Sequence, residues 1–209
     1  MDLFKREKYL KKIRGFYDAD DIIKVITGMR RSGKSKLLEA FMDYVIKTVP
    51  DANIIHLNFS LAEFEGLLEW HRLNEYVENK YIADKQNFLF IDEVQMCDGF
   101  EKAVNSFHAS EKFDIYITGS NAFLLSSDLA TLFTGRTFEI EVFPFSFKEY
   151  MQYFETEDRY AAFGKYLKEG GLSGSYLYSS QEAKYDYVDE VFKTLIIRDI
   201  QKKYKNCKQ

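Results

Sequence analysis

The stretch Gly28-Met29-Arg30-Arg31-Ser32-Gly33-Lys34-Ser35 constrains this chain more than any other. Its pattern, two glycines with Lys-Ser after the second, is that of the phosphate-binding P-loop, or Walker A motif. The preceding segment, Ile22-Ile23-Lys24-Val25-Ile26-Thr27, is apolar and β-branched, as a buried parallel strand requires. After the loop, Leu37, Leu38, Phe41 and Val45 recur at helical spacing. A glycine loop between strand and helix turns backbone N–H groups inward against a helix N-terminus and forms an anion hole. Gly28 and Gly33 allow backbone geometry that a Cβ would block. Lys34 is positioned to reach the β- and γ-phosphates, and the Ser35 hydroxyl to ligate Mg²⁺. Met29, Arg30, Arg31, Ser32 and Lys36 complete the candidate nucleotide-binding set. The competing reading is a solvated Gly/Ser turn. Arg30 and Arg31 raise the loop's positive potential; the nucleotide, a neighbouring subunit's acids and the N-terminal segment all remain open as their contacts.

A phosphate-binding loop does not by itself imply hydrolysis. Phe88-Leu89-Phe90-Ile91-Asp92-Glu93 adds four apolar residues followed by two acids, a Walker B pattern. Carboxylates at the end of a buried strand are costly unless a cation compensates them. They fall at the crevice outside the strand ends, where open α/β sheets bind ligands. Asp92 is the candidate Mg²⁺ holder, through water, and Glu93 the candidate general base that polarises the attacking water. Two acids opening a loop is the plainer alternative.

Ile115-Tyr116-Ile117-Thr118-Gly119-Ser120-Asn121 reads as another buried strand with a polar end. Ser120 and Asn121 are candidates for contacting the γ-phosphate and orienting water, although Gly-Ser-Asn is also ordinary turn chemistry. Arg136, in Thr134-Gly135-Arg136, precedes the fifth strand candidate and could neutralise transition-state charge in a neighbouring subunit, or serve as a salt-bridge or strand-capping residue. His56, His71 and His108 have no metal-ligand spacing and read as structural or surface residues. Lys202, Lys203, Lys205 and Lys208 form a basic tail, which reads first as a solvated helix end.

The 209 residues suit one domain, or one with a small appendage. A hydrophobic content of 46%, aromatics at 17% and two prolines exclude a disordered chain. The net charge of −4 gives no global attraction to nucleic acid or anionic membrane. Cys97 and Cys207 are too few for a disulfide framework and point to a reducing compartment. The charged opening, Met1-Asp2-Leu3-Phe4-Lys5-Arg6-Glu7-Lys8, lacks the apolar region of a secretory signal, and no apolar run has the length of a membrane span. The expected location is cytoplasmic, with no membrane partner.

Five strand candidates, Ile22–Thr27, Asn53–Asn58, Asn87–Ile91, Asp114–Thr118 and Thr137–Val142, alternate with helical patterns. That alternation predicts βαβ units and a mainly parallel five-stranded α/β sheet covered on both faces. Residues 1–20 predict a short helix near the nucleotide. After Phe143-Pro144-Phe145, Ser146 with Glu149 is a capping-box signature. Helical patterns follow at about 146–154, 158–169 and, past the Gly170-Gly171 break, 181–204. In the last, Tyr185, Val188, Phe192, Leu195 and Ile196 predict one apolar face. The expected organisation is a P-loop core over 1–145 and a small helical, lid-like extension over 146–209.

These residues together resemble the bacterial and archaeal AAA+ ATPases whose Walker A carries an Arg-Arg pair. The resemblance rests on Gly28–Ser35, Phe90-Ile91-Asp92-Glu93-Val94-Gln95, Thr118-Gly119-Ser120-Asn121, Thr134-Gly135-Arg136, Phe143-Pro144-Phe145-Ser146-Phe147, Glu169-Gly170-Gly171, Arg198-Asp199-Ile200 and the opening Arg6-Glu7-Lys8-Tyr9-Leu10. It implies a three-layer αβα P-loop NTPase fold of ASCE and AAA+ type, with a catalytic strand inserted between the Walker A and B strands. It also implies ATP and Mg²⁺ as ligands, Ser120 and Asn121 as the sensor-1 region, and Arg136 as an arginine finger within a homo-oligomer. Two departures stand out. Ser173 takes the place of a usual proline, which bears on the local turn. Family members also continue past Arg-Asp-Ile into a winged-helix-like part and a further domain, sometimes likened to nucleases. The resemblance therefore implies a fragment or a shortened member, with DNA or protein partners engaged through the region beyond.

The leading expectation is Mg²⁺-dependent ATP hydrolysis. The alternative is a nucleotide-dependent switch with little turnover. A P-loop kinase ranks below both: the acid pair suits water activation, and Arg159 is the one arginine between Arg136 and Arg198 to serve a lid. Adenine rather than guanine follows from the resemblance, and the chain has no Asn-Lys-x-Asp stretch.

Overall fold

The computed structural model describes residues 4–120, 133, 135–195 and 197. Contacts divide these into two compact units. One comprises the residues up to Thr27 together with Lys34–Glu141; the other comprises Gly28–Gly33 and the residues from Val142 onward.

The first unit runs α1 (Glu7–Arg14), β1 (Ile23–Thr27), α2 (Lys34–Thr48), β2 (Asn53–Asn58), α3 (Trp70–Lys80), β3 (Asn87–Asp92), α4 (Phe100–Ser110), β4 (Asp114–Thr118) and β5 (Thr137–Glu141). The strands form one sheet in the order β2-β3-β4-β1-β5, every neighbouring pair parallel. The expected five strands are all present, β2 and β4 with the expected ends and the others within a residue. β4 lies between β1 and β3, as the resemblance implies.

Side chains alternate across the sheet. Ile23, Val25, Leu89, Ile91, Ile115 and Ile117 share a core with Leu73 and Val77 of α3 and Ala103, Val104 and Phe107 of α4. The intervening positions, Phe90 and Tyr116 among them, meet Phe41 of α2, with ring centroids 6.3 and 4.9 Å away. Phe41 is fully buried, a contribution of about 2–3 kcal/mol. α1 buries Tyr9, Leu10 and Ile13 and packs on α2. Helices on both faces of a parallel sheet make a three-layer αβα architecture. β5, an edge strand, exposes Glu139 and Glu141, a common guard against edge-to-edge pairing.

At the N-terminal ends of β1 and β4, the fully buried Lys24 lies 2.5 Å from Asp114 Oδ1 and also donates to the Ala19 carbonyl. Asp114 Oδ2 accepts from the Tyr116 hydroxyl at 2.9 Å and from the Asp18 N–H at 3.1 Å. Burial pushes the Asp114 carboxyl above its ordinary pKa, against the opposing pull of Lys24 and these donors. The network anchors the segment before β1 beneath the sheet.

The second unit contains α5 (Phe147–Tyr153), α6 (Arg159–Glu169), a 3₁₀ turn (Ser173–Leu177) and α7 (Gln181–Thr194). The Ser146–Glu149 capping box forms. The Phe145 N–H donates to the Gly171 carbonyl at 2.7 Å, and a Cβ on Gly171 would meet the Phe145 carbonyl oxygen at 2.3 Å, so the two segments approach too closely for a side chain. Ser173 opens its turn without a proline.

The face expected on α7 needs correcting. Tyr185 and Phe192 are 51% and 60% exposed, and Val188 is half-buried. The inward face carries Lys184, Tyr187 and Val191 instead. Lys184 pairs with Glu169 at 2.6 Å, and only Val191 is buried. The helix packs through a mixed polar and aromatic surface to which hydrophobic periodicity is blind. Leu195 and Ile197 continue in a wider helical turn. Ile196, Arg198-Asp199-Ile200 and the basic tail lie outside the described residues, as do Asn121 and Thr134.

Candidate functional site

The strand register assembles the Walker B acids. Ile26 of β1 pairs with Thr118 of β4, and Ile91 of β3 pairs with Ile117, so Asp92, Thr118 and Ile26 stand level across three adjacent strands. All three are at the C-terminal edge of the sheet. β1 runs from this edge into Gly28, while Lys34 and Ser35 open α2, which packs on β3 and β4. Lys34 is buried, Ser35 half-buried and Lys36 exposed. Lys36 pairs with Glu39 at 2.6 Å.

Asp92 is 2% exposed, and its Oδ1 accepts a hydrogen bond from the Thr118 hydroxyl. That hydroxyl in turn accepts from the Glu93 N–H at 3.1 Å. Glu93 adopts the left-handed conformation, φ 57° and ψ 46°. For a residue with a side chain this costs about 1 kcal/mol. The Thr118 bond, and that of the Met96 N–H to the Glu93 carbonyl at 3.0 Å, hold it there. The Gln95 amide donates to Glu93 Oε2, and Gln95 Oε1 is buried with no partner among the described residues. Ser120 follows β4 and is buried.

The loop itself mixes backbone hands. Gly28, Arg31 and Gly33 have φ of 146°, 63° and 98°. Turns of this kind gather N–H groups into an anion-binding nest. A Cβ on Gly28 would meet the Val142 carbonyl oxygen at 2.3 Å, so glycine is required there. Of the contacts left open for the arginine pair, the structure supplies another. The Arg31 guanidinium lies 4.9 Å from the centroid of the Tyr187 ring on α7. Arg30 is half-buried.

Arg136 is exposed, and its carbonyl accepts from the Ile23 N–H at 2.8 Å, which places it at the start of β5. From there β5 runs to Glu141, which pairs with Thr27. Five residues of strand put Arg136 roughly 16 Å below the C-terminal edge. His71, 69% exposed, pairs with Glu69 at 2.6 Å at the surface, and His108 Nε2 donates to the Asp21 carbonyl at 2.9 Å. Among the described residues no three His, Cys, Asp or Glu side chains gather as a metal cluster, and no helix is long and apolar enough to cross a membrane.

Sequence reasoning gave no role to Thr118, Gln95 or Tyr187. Thr118 and Gln95 fall inside motifs already singled out; Gln95, an amide two residues after the acid pair, carried a signal, and Thr118, a threonine ending a strand, did not. Nothing in the sequence connects Tyr187 to the loop.

A parallel sheet with a glycine loop after its β1 strand and an acid pair on a neighbouring strand end defines a P-loop nucleotide-binding domain. The sequence model of the AAA domain matches residues 20–151, and the chain belongs to that family. It is 36% identical over 204 residues to an uncharacterized protein of Haemophilus influenzae, covering 95% of this chain and 50% of that one. An uncharacterized protein of Methanocaldococcus jannaschii is 31% identical over 191 residues, covering 85% of this chain and 42% of that one. The chain thus spans about half the length of the curated relatives it matches or less. Similar folds include domain III of the Thermotoga maritima replication initiation protein DnaA (TM-score 0.53, 19% identity, 85% and 83% coverage of this chain and that one). AMPPCP-bound DnaA from Aquifex aeolicus (TM-score 0.52, 17% identity, 97% and 66% coverage) and Saccharomyces cerevisiae Hsp104 with ADP (TM-score 0.58, 17% identity, 74% and 24% coverage) are similar as well.

Proposed function

We propose that this chain binds ATP with Mg²⁺ and hydrolyses it. The observation that carries the proposal is the pair Asp92 and Glu93, held by one hydroxyl at the sheet edge from which β1 enters the glycine loop. The residues suit the ligands. Positive φ at Gly28, Arg31 and Gly33 gives the mixed-hand turn that gathers N–H groups toward an anion. A carboxylate and hydroxyls are the hard oxygen donors that Mg²⁺ prefers, with phosphates and waters completing its shell. Bound there, Mg²⁺ would neutralise charge on the phosphates.

In this reading Gly28–Gly33 present N–H donors, Lys34 adds a cation and Ser35 and Asp92 hold the metal, Asp92 through water. Glu93 accepts a proton from the attacking water. The Gln95 amide, which donates to Glu93 Oε2, would orient that carboxylate. Ser120, with Asn121 beyond the described residues, completes the γ-phosphate end. Arg136 lies on the opposite edge of its own sheet, which favours action on a neighbouring copy in a homo-oligomer. Residues 1–145 would form the ATPase core and 146–209 a lid-like extension, within the cytoplasm. DNA or a protein is the partner class in this reading.

The test is equilibrium binding of a fluorescent ATP analogue. Lys34→Ala should weaken binding by about 10- to 150-fold, the worth of a charge-assisted contact. Glu93→Gln should leave it intact. Equal binding by wild type and Lys34→Ala would refute the nucleotide site. The second reading, a switch with little turnover, draws support from Gln95, whose amide engages the carboxylate that hydrolysis needs.

A further inference from the structure

We infer that Thr118 is the positioning residue of this site, setting Asp92 and Glu93 with one hydroxyl. The inference rests on the nucleotide reading above and adds to it a residue with no assigned role. A hydroxyl carries one proton. Because Thr118 Oγ1 accepts from the Glu93 N–H at 3.1 Å, its own proton is free for one direction only, and it goes to Asp92 Oδ1. The donor to the Asp92 carboxylate is therefore fixed by the backbone of the residue that follows Asp92.

Each bond has its own consequence. The bond to Oδ1 orients the Asp92 carboxylate and occupies one lone pair of that oxygen; the remaining lone pairs would serve a metal-bound water. Groups that orient a metal-holding carboxylate commonly govern metal affinity by about 10- to 100-fold. The bond from the Glu93 N–H stabilises a left-handed residue, and that conformation sets the direction of the Glu93 side chain. Thr118 is fully buried at the end of β4, between β3 and β1, so no solvent hydroxyl can replace it. The strand register supplies the precision, since Thr118 stands level with Asp92.

The test compares wild type, Thr118→Val and Thr118→Ser, with Thr118→Ala in reserve should the valine variant fail to fold. Hydrogen exchange at the Glu93 amide needs no ligand. It should accelerate at least about 10-fold in Thr118→Val and stay near wild type in Thr118→Ser. Binding of a fluorescent ATP analogue is then measured in EDTA and in Mg²⁺. Thr118→Val should match wild type in EDTA and lose about 10-fold or more of the affinity that Mg²⁺ adds, with Thr118→Ser restoring it. A merely structural threonine would affect both conditions alike. Unchanged exchange at Glu93, or an unchanged Mg²⁺ increment, in Thr118→Val overturns the inference. If wild type binds no nucleotide, the nucleotide reading falls and the exchange result alone decides the role of Thr118.

Discussion

The guanidinium of Arg31 rests 4.9 Å above the ring of Tyr187, joining the glycine loop to helix α7. Tyr187 is itself confined. Its ring lies 5.6 Å from that of Tyr178, and a Cβ on Gly174 would meet its hydroxyl at 2.1 Å. Arg31 occupies a left-handed position, φ 63°, where side-chain contacts help hold the turn. Tyr187→Leu should remove a cation–π contact of about 0.5–1 kcal/mol. Exchange of the amides in 28–33 should rise several-fold, while Tyr187→Phe stays near wild type. Equal exchange in the leucine and phenylalanine variants would show that the ring does not restrain the loop.

The buried pair Lys24–Asp114 makes a stability prediction. Removing one partner leaves the other charge buried without compensation, so Asp114→Leu should destabilise by about 3–5 kcal/mol. The double variant Lys24→Met with Asp114→Leu should recover much of that loss. Urea denaturation midpoints of the single and double variants give the comparison.

Burial pushes the Cys97 thiol up to about 12, so it remains protonated at neutral pH. An alkylating reagent at pH 8 should leave Cys97 unmodified in the folded protein and label it in denaturant, read by peptide mass spectrometry. The folded pKa lies above the unfolded one, so the stabilisation is complete below the ordinary thiol value of 9.0 and is lost as pH rises toward about 12. Cys97→Ala should flatten the alkaline limb of the stability profile.

Gly171 faces the Phe145 backbone at a distance no Cβ tolerates. Gly171→Ala should therefore lower the melting temperature, whereas Gly164→Ala, where a Cβ meets nothing within 4 Å, should not.

How much of this was legible depended on where each signal resides. Strands such as Asn53–Asn58 and Asp114–Thr118 are short apolar runs between turn residues, and their ends could be read directly. The motif residues could be named as candidates because phosphate chemistry restricts which residues serve. Thr118 could not, since a threonine ending a strand looks like any β-branched residue until the register sets it beside Asp92. The inward face of α7 was missed because Lys184 and Tyr187 pack through an ion pair and a ring, which hydrophobic spacing cannot register.

The most direct measurement is phosphate release from Mg-ATP over a wide range of protein concentration, with Lys34→Ala as the blank. Release should exceed the blank, specific activity should rise with concentration and fall in Arg136→Ala, and Glu93→Gln should lose about 10²- to 10⁴-fold. ATP bound tightly, with release no greater than the blank at every concentration, would contradict hydrolysis by this chain.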